Sequence, residues 1–434
     1  MPINAVDMSQ FWKSIQSQSA YRNSEVYVAQ TFAFGFSGFN CCQLALSTKL
    51  LPKLLVDESH TKIFGSQKLT EQVATEIILD LANVPGKFTV IGRMVNRFLA
   101  MNQRKSFMDF IVDNPQIADI DLKQQLIITG LPRTGSTLLQ NLLSCDLNAR
   151  SPLYYEMSFA SYSPVKPPTK KLDSSHPWFI NFKKARDYQL RYSPEVVQNM
   201  LASHYNDAHT VEEEYVIMLR QFGLFIFGSI LSPEIAKRQL DCPNREEIYK
   251  FLQLYIKMLQ SGFEPNSHWI LKAPIHSLYL PTLKSFFPNS FLIFTHRHPK
   301  TVIGSLCKLL LSFVHHCLAD RVVDRRDIGN FCLLYCKMVV SSIKDYKSKS
   351  NQMQYIDINY VELMKNPISI VERIYSKIGL VITEDIKLKM KDYLMHNPQG
   401  KHGRHKYCLD EYGLSDDTVE EEFRDYINEY GLQT

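Results

Sequence analysis

The chain's 434 residues, 45% hydrophobic and 21% charged, suffice for one large α/β domain with a helical extension or for two modest domains. That balance excludes the apolar-poor make-up of disordered proteins. The net charge of +5 is too small and too dispersed to imply nucleic acid, and it suits a small polyanionic ligand.

Residues 1–120 show no strand alternation. The stretches TEQVATEIILDLANV and FTVIGRMVNRFLAMNQRKSFMDFIVD repeat apolar side chains at helical spacing, which predicts a helical N-terminal region without visible chemistry. An apolar run from Lys123 to Thr129 then predicts a strand. It ends in GLPRTGST, Gly130 to Thr137, and is followed by Leu138, Leu139, Leu142 and Leu143 on one helical stripe. From about 150 to 262 come Pro-containing loops and helices, among them Glu246 to Gln260 with Gly262 as its stop, a helical insertion expected to build an acceptor pocket.

A strand His268 to Lys272, a helix through Leu278 to Phe286, a strand Phe291 to Thr295 and a helix opened by Pro299 make a second strand–helix unit. A last strand, Gln354 to Ile358, precedes a helix capped by Asn366, with Pro367 at its first position and Gly379 at its end; a closing helix runs from Ser415 to Tyr430. Strands alternating with helices imply a parallel sheet, and residues 121–434 read as an α/β, three-layer fold of the P-loop nucleotide-hydrolase type.

The nine cysteines have no CxxC or Cys/His ligand spacing and read as reduced core thiols, so no metal is expected. The opening MPINAVDMSQFWKS lacks a basic stretch followed by an apolar one. The longest apolar run, Phe222 to Leu231, is far short of the roughly 20 residues of a membrane span. A cytoplasmic protein is the expectation; a homodimer stays open.

Between a strand and a helix, GLPRTGST offers successive backbone N–H groups and the positive helix end to an anion. Gly130, Gly135 and Thr137 keep the spacing of an ATP-binding loop, yet Ser136 stands where its lysine belongs and Arg133 is the loop's cation. A chain of phosphates needs that lysine and a metal. A phosphosulfate carries less charge at its reacting end and needs neither.

These residues resemble the sulfotransferase family, in particular a bacterial-type branch reading GLPRTGTTLL, a W/Y-E segment, LKSPxH and THRDP. Here the same order reads GLPRTGSTLL, SPLYYEM, LKAPIHS and THRHPKTVIGS, from about residue 70 to the C-terminus. The resemblance implies an enzyme that takes its sulfuryl group from 3′-phosphoadenosine 5′-phosphosulfate and passes it to a small hydroxyl acceptor, alcohol or phenol. By the same resemblance Arg133, Thr134, Gly135, Ser136, Thr137 and Leu138 bind the phosphosulfate. Arg297 and Ser305, eight positions apart, grip the 3′-phosphate, and Lys272 leans on the reacting group. His298 departs from the family's aspartate or asparagine.

For the base that takes the acceptor's proton, Glu156 is preferred over His276, and a third residue stays possible, because the position two after Lys272 is Pro274. The loop KHGRHK resembles one that closes over the nucleotide, so Lys401, Arg404 and Lys406 are candidates for the 3′-phosphate. The acidic triplet Glu212 to Glu214 reads as a solvated helix start, and His204 as a pocket candidate. The aromatic content permits a lipophilic acceptor. Two other functions stay on the table, a kinase-like phosphotransferase and a non-catalytic nucleotide-binding protein.

Overall fold

The computed structural model describes residues 58–82, 103–158, 166–192, 205–221, 240–317, 323–397 and 408–432, with a few single positions between them. The segments Phe222 to Phe227, His204 and the loop with Lys401, Arg404 and Lys406 lie outside the described residues.

Strands β1 (Gln125–Gly130), β2 (Trp269–Lys272), β3 (Phe291–His296) and β4 (Tyr355–Asn359) form one parallel sheet in the order β2-β1-β3-β4. β1 lies centrally, its Ile128 in register with Lys272 on one side and its Gly130 with Thr295 on the other. Each of β1, β2 and β3 is buried along its whole length, as parallel strands covered on both faces require.

Alternate residues feed two cores. Leu126 and Ile128 of β1, with Ile270 and Ile293, pack against helices α3 (Ser136–Leu143), α12 (Pro367–Lys377) and α13 (Glu384–His396). Ile127, Leu271, Leu292 and Phe294 belong to the larger core with α7 (Arg245–Gly262), α9 (Pro299–Cys317) and α10 (Arg325–Lys349). The three-layer α/β fold expected from the sequence is therefore present. The described part of the N-terminal helical region, which includes α1 (Lys68–Ala82) and α2 (Gln103–Asp113), shares that larger core. Phe64 and Phe107 sit edge-on or tilted against Phe251 of α7, with ring centroids 4.7 to 6.2 Å apart.

Several local expectations need correction. Asn366 precedes α12, but its side chain makes no capping bond, and Pro367 alone starts the helix. Gly262 is the last helical residue of α7 rather than the one beyond it. The closing helix is two, α14 (Asp416–Glu422) and α15 (Arg424–Tyr430), divided at Phe423. Between β2 and α8 (Leu280–Phe286) comes a separate 3₁₀ turn, Pro274–Leu278. The six cysteines at 145, 242, 307, 332, 336 and 408 are free thiols. Among the described residues, no helix is long and apolar enough to cross a membrane.

Candidate active site

In an open parallel sheet, ligands bind beyond the carboxyl ends of the strands, where the connections diverge. Here the carboxyl ends of β1, β2 and β3 deliver, side by side, the loop 130–135, the side chain of Lys272 and the side chain of Arg297.

The loop is shaped by its backbone. Gly130 has φ 121°, and a Cβ there would stand 2.6 Å from the carbonyl oxygen of Thr295, so only glycine lets β1 and β3 pair to their ends. Arg133 adopts φ 64°, a left-handed conformation that costs a residue with a Cβ about 1–2 kcal/mol. Gly135, with φ 81°, leads into α3, whose N-terminus no side chain caps and whose first turn has no acidic residue. Backbone N–H groups at such an end favour an anion.

Thr134 stays inside the loop. Its hydroxyl lies 2.7 Å from the carbonyl oxygen of Leu131 and 2.6 Å from the hydroxyl of Thr295, and the residue is fully buried. Of this residue, only the backbone remains to face a donor. Leu138 is half-buried against the smaller core, so its part in binding is likewise confined to the backbone. Ser136 is buried and Thr137 exposed.

Arg133 Nε donates to Ser305 Oγ at 2.9 Å, and Arg297 Nη1 donates to the carbonyl oxygen of Arg133 at 2.9 Å. The arginine and serine that the sequence set eight positions apart thus meet the loop cation. Tyr360, first residue of α11 (Tyr360–Lys365), lies under the Arg297 guanidinium at 3.9 Å from its ring centroid. The same ring edge would stand 3.2 Å from a Cβ at Gly135. Nothing in the sequence singled out Tyr360.

Lys272 is almost completely buried. Its Nζ lies 3.4 Å from Thr137 Oγ1 and 2.5 Å from Glu213 Oε1. Its backbone N–H donates to Glu214 Oε2 at 2.7 Å. Glu214 is wholly buried, and its other oxygen lies 2.7 Å from His276 Nε2, while His276 Nδ1 lies 2.8 Å from the Tyr249 hydroxyl.

Two expectations fail here. The acidic triplet is no solvated helix start, because Glu212 and Glu214 are buried and Glu213 meets Lys272. A buried ammonium needs a counter-charge, which is the signal that could have led from Lys272 to a carboxylate. His276 has both ring nitrogens engaged in the core and is not presented to an acceptor.

Glu156 also differs from its expected place. It is fully buried, with Oε1 2.7 Å from Arg150 Nη2 and Oε2 accepting the Leu153 N–H at 2.8 Å. Arg150 continues to the carbonyl oxygens of Leu259 and Phe263 and stacks against Trp269. Glu156 is thereby the inner half of a buried ion pair, with each carboxylate oxygen engaged by a protein donor.

His298, where the family has an acid or amide, is buried and lies 3.2 Å from Glu420 of α14. Burial pulls its imidazole below the ordinary histidine range, with Glu420 opposing. Lys300, two residues on, pairs with Asp416 of the same helix.

An uncapped helix start, three cations from adjacent strand ends and a strained arginine turn form a crevice of an α/β fold suited to an anion. The model of the sulfotransferase family matches residues 125–385, well over half of the chain, and the protein belongs to that family. It is a sulfotransferase, and its family draws the sulfuryl group from 3′-phosphoadenosine 5′-phosphosulfate.

Over 357 residues the chain is 24% identical to the omega-hydroxy-beta-dihydromenaquinone-9 sulfotransferase Stf3 of Mycobacterium bovis, covering 78% of this chain and 81% of the relative. The Stf3 protein of Mycobacterium tuberculosis matches to the same extent. Among solved structures, sulfotransferase STF9 from Mycobacterium avium superposes with a TM-score of 0.75 at 23% identity, covering 86% of this chain and 95% of that one. Sulfotransferase STF1 from Mycobacterium tuberculosis H37Rv gives 0.67 at 22% identity, covering 85% and 98%. These likenesses bear on the fold.

Proposed function

We propose that this sulfotransferase passes the sulfuryl group of 3′-phosphoadenosine 5′-phosphosulfate to the hydroxyl of a small lipophilic alcohol or phenol. The observation that carries this reading lies at the carboxyl edge of the sheet, where Arg133 is bonded to Ser305 and Arg297, and Lys272 reaches Thr137 at the start of α3. The N–H groups at the start of α3, with Lys272, would hold the phosphosulfate, and Arg297 with Ser305 the 3′-phosphate. Arg133, bonded to Ser305, spans the two. Charge gathers on the bridging oxygen as the sulfuryl group leaves, and a fixed ammonium in a site shielded from water stabilises it most effectively.

The lipophilic acceptor draws support from the Stf3 relative, whose own name assigns it a menaquinone hydroxyl, and from the 12% aromatic content of this chain. The test incubates purified protein with ³⁵S-labelled donor and 2-naphthol, geranylgeraniol or a hydroxylated menaquinone. Label should pass to at least one of these, and Lys272→Ala and Arg133→Ala should each lower transfer by about 100-fold or more. Transfer unchanged in both variants overturns the residue roles. Transfer only to polar sugars overturns the acceptor class.

A further inference from the structure

The acidic segment beside Lys272 is held in place from three sides. Val211 bridges to Leu153, and the Glu212 N–H donates to the Pro152 carbonyl. The Glu212 carbonyl accepts from Gln140 of α3, and Glu214 accepts from the backbone of β2. Fixed on both flanks, Glu213 is aimed at the lysine. Its Oε1 takes the Lys272 ammonium at 2.5 Å, whereas Oε2 has no protein partner among the described residues. Lys272 is 1% exposed and Glu213 25%, so the pair has a buried cation and a carboxylate that opens outward. Of the carboxylates and imidazoles around this lysine, Glu214, His276 and, farther off, Glu156 are sealed by two partners each.

Resting on the sulfuryl-transfer reading above, we propose that Glu213 is the base that accepts the acceptor's proton, and that it latches Lys272 until the donor arrives. Without donor, the carboxylate neutralises the buried ammonium. A bound phosphosulfate competes for that ammonium and draws it to the bridging oxygen, which releases Glu213 toward the acceptor. The acceptor oxygen then forms its bond to sulfur as the bond from sulfur to the bridging oxygen breaks. That electron pair stays on the 5′-phosphate of adenosine 3′,5′-bisphosphate, beside Lys272, and the hydroxyl proton passes to Glu213 Oε2. Water afterwards takes the proton from the carboxyl group. Glu214, with His276 and Tyr249 behind it, is a positioning residue that fixes the backbone of Lys272.

Among the described residues, the charged and titratable groups that face Glu213 are Lys272 from β2, Tyr335 from α10, and its chain neighbours Glu212, Glu214 and Tyr215. The test titrates wild type and Glu213→Gln with 3′-phosphoadenosine 5′-phosphosulfate by calorimetry and follows transfer to 2-naphthol and geranylgeraniol from pH 5.5 to 9. Donor should bind Glu213→Gln about three- to tenfold more tightly, because no anion competes for Lys272. Its kcat should fall about 100-fold or more. Glu213→Asp should recover part of that loss, and either variant can report if the other fails to fold. A kcat within fivefold of wild type in Glu213→Gln overturns the proposal. Should wild type bind donor but sulfate neither acceptor, binding decides: tighter in Glu213→Gln supports the latch, unchanged overturns it. Wild type that binds no donor overturns the sulfuryl-transfer reading itself, whereas wild-type transfer with equal transfer by Glu213→Gln overturns only the role of Glu213.

Discussion

Ser305 Oγ accepts a hydrogen bond from Arg133 Nε at 2.9 Å, which ties the turn after β1 to the helix after β3. The residues are 172 positions apart, and the bond fixes the direction of the one cation the turn contains. A hydrogen bond to a charged group contributes about 1.5–3 kcal/mol. Ser305→Ala should therefore weaken binding of adenosine 3′,5′-bisphosphate by about tenfold or more, measured by calorimetry, with thermal stability little changed. Binding within twofold of wild type would show that the serine only packs.

Tyr360 supports Arg297 from below. Tyr360→Phe keeps the ring face and should leave nucleotide affinity within about twofold, whereas Tyr360→Ala removes a cation–π contact of about 1–2 kcal/mol. Affinity in the alanine variant should drop by about five- to thirtyfold. Equal affinities for the two variants would mean that the Tyr360 ring does not hold the Arg297 guanidinium.

Glu156 should behave as scaffold. Breaking a buried ion pair by removing one partner costs about 3–5 kcal/mol, so Glu156→Ala should shift the urea midpoint strongly downward. At a temperature where the variant is still folded, its kcat should stay within a few-fold of wild type. A folded Glu156→Gln protein that binds donor normally yet transfers nothing would return Glu156 to the role of base.

His268 makes stability pH-dependent. It is fully buried just before β2, beside Tyr375 and Asp146, and burial holds its imidazole down at about 4. Between about pH 6.5 and 4 the unfolded chain takes up a proton here that the folded chain does not. Stability is therefore full above that window and falls as the pH drops through it, by about 3 kcal/mol for this group. Urea unfolding of wild type and His268→Asn at pH 7.5, 6 and 5 checks this: the variant should lose less stability on acidification, and equal losses would refute it.

The sheet was legible because β1, β2 and β3 each contain a short, uninterrupted apolar run, and β1 and β2 end on residues with a distinct chemistry. The run ending in GLPRTGST and the run ending in Lys272 could be placed from sequence spacing alone. The long helix α10 was not, because its buried side, Ile328, Phe331, Cys332, Tyr335, Cys336 and Val339, is split by Gly329 and weakened by two cysteines that read as neutral. Its packed neighbours, among them α9 and the turns 274–278 and 410–412, give that side its purpose. The partners of Lys272 were hidden for another reason. Three successive glutamates look like the first turn of an exposed helix, and their distance of 58 to 60 positions from the lysine carries no periodic signal. Glu156 misled in the opposite sense: a motif position was visible, but Arg150, six residues earlier and buried against Trp269, had already claimed both its charge and its direction.

The pairing of Gly130 with Thr295 sets the alignment of everything beyond it. Moving β3 along β1 by a single residue would carry Arg297 about 3.3 Å and turn its side chain to the opposite face of the sheet. Length within Phe291–His296 is thus as constrained as composition: a one-residue insertion or deletion there, even among Leu292, Ile293 and Phe294, would pull the arginine away from the turn while leaving the apolar composition of the strand intact.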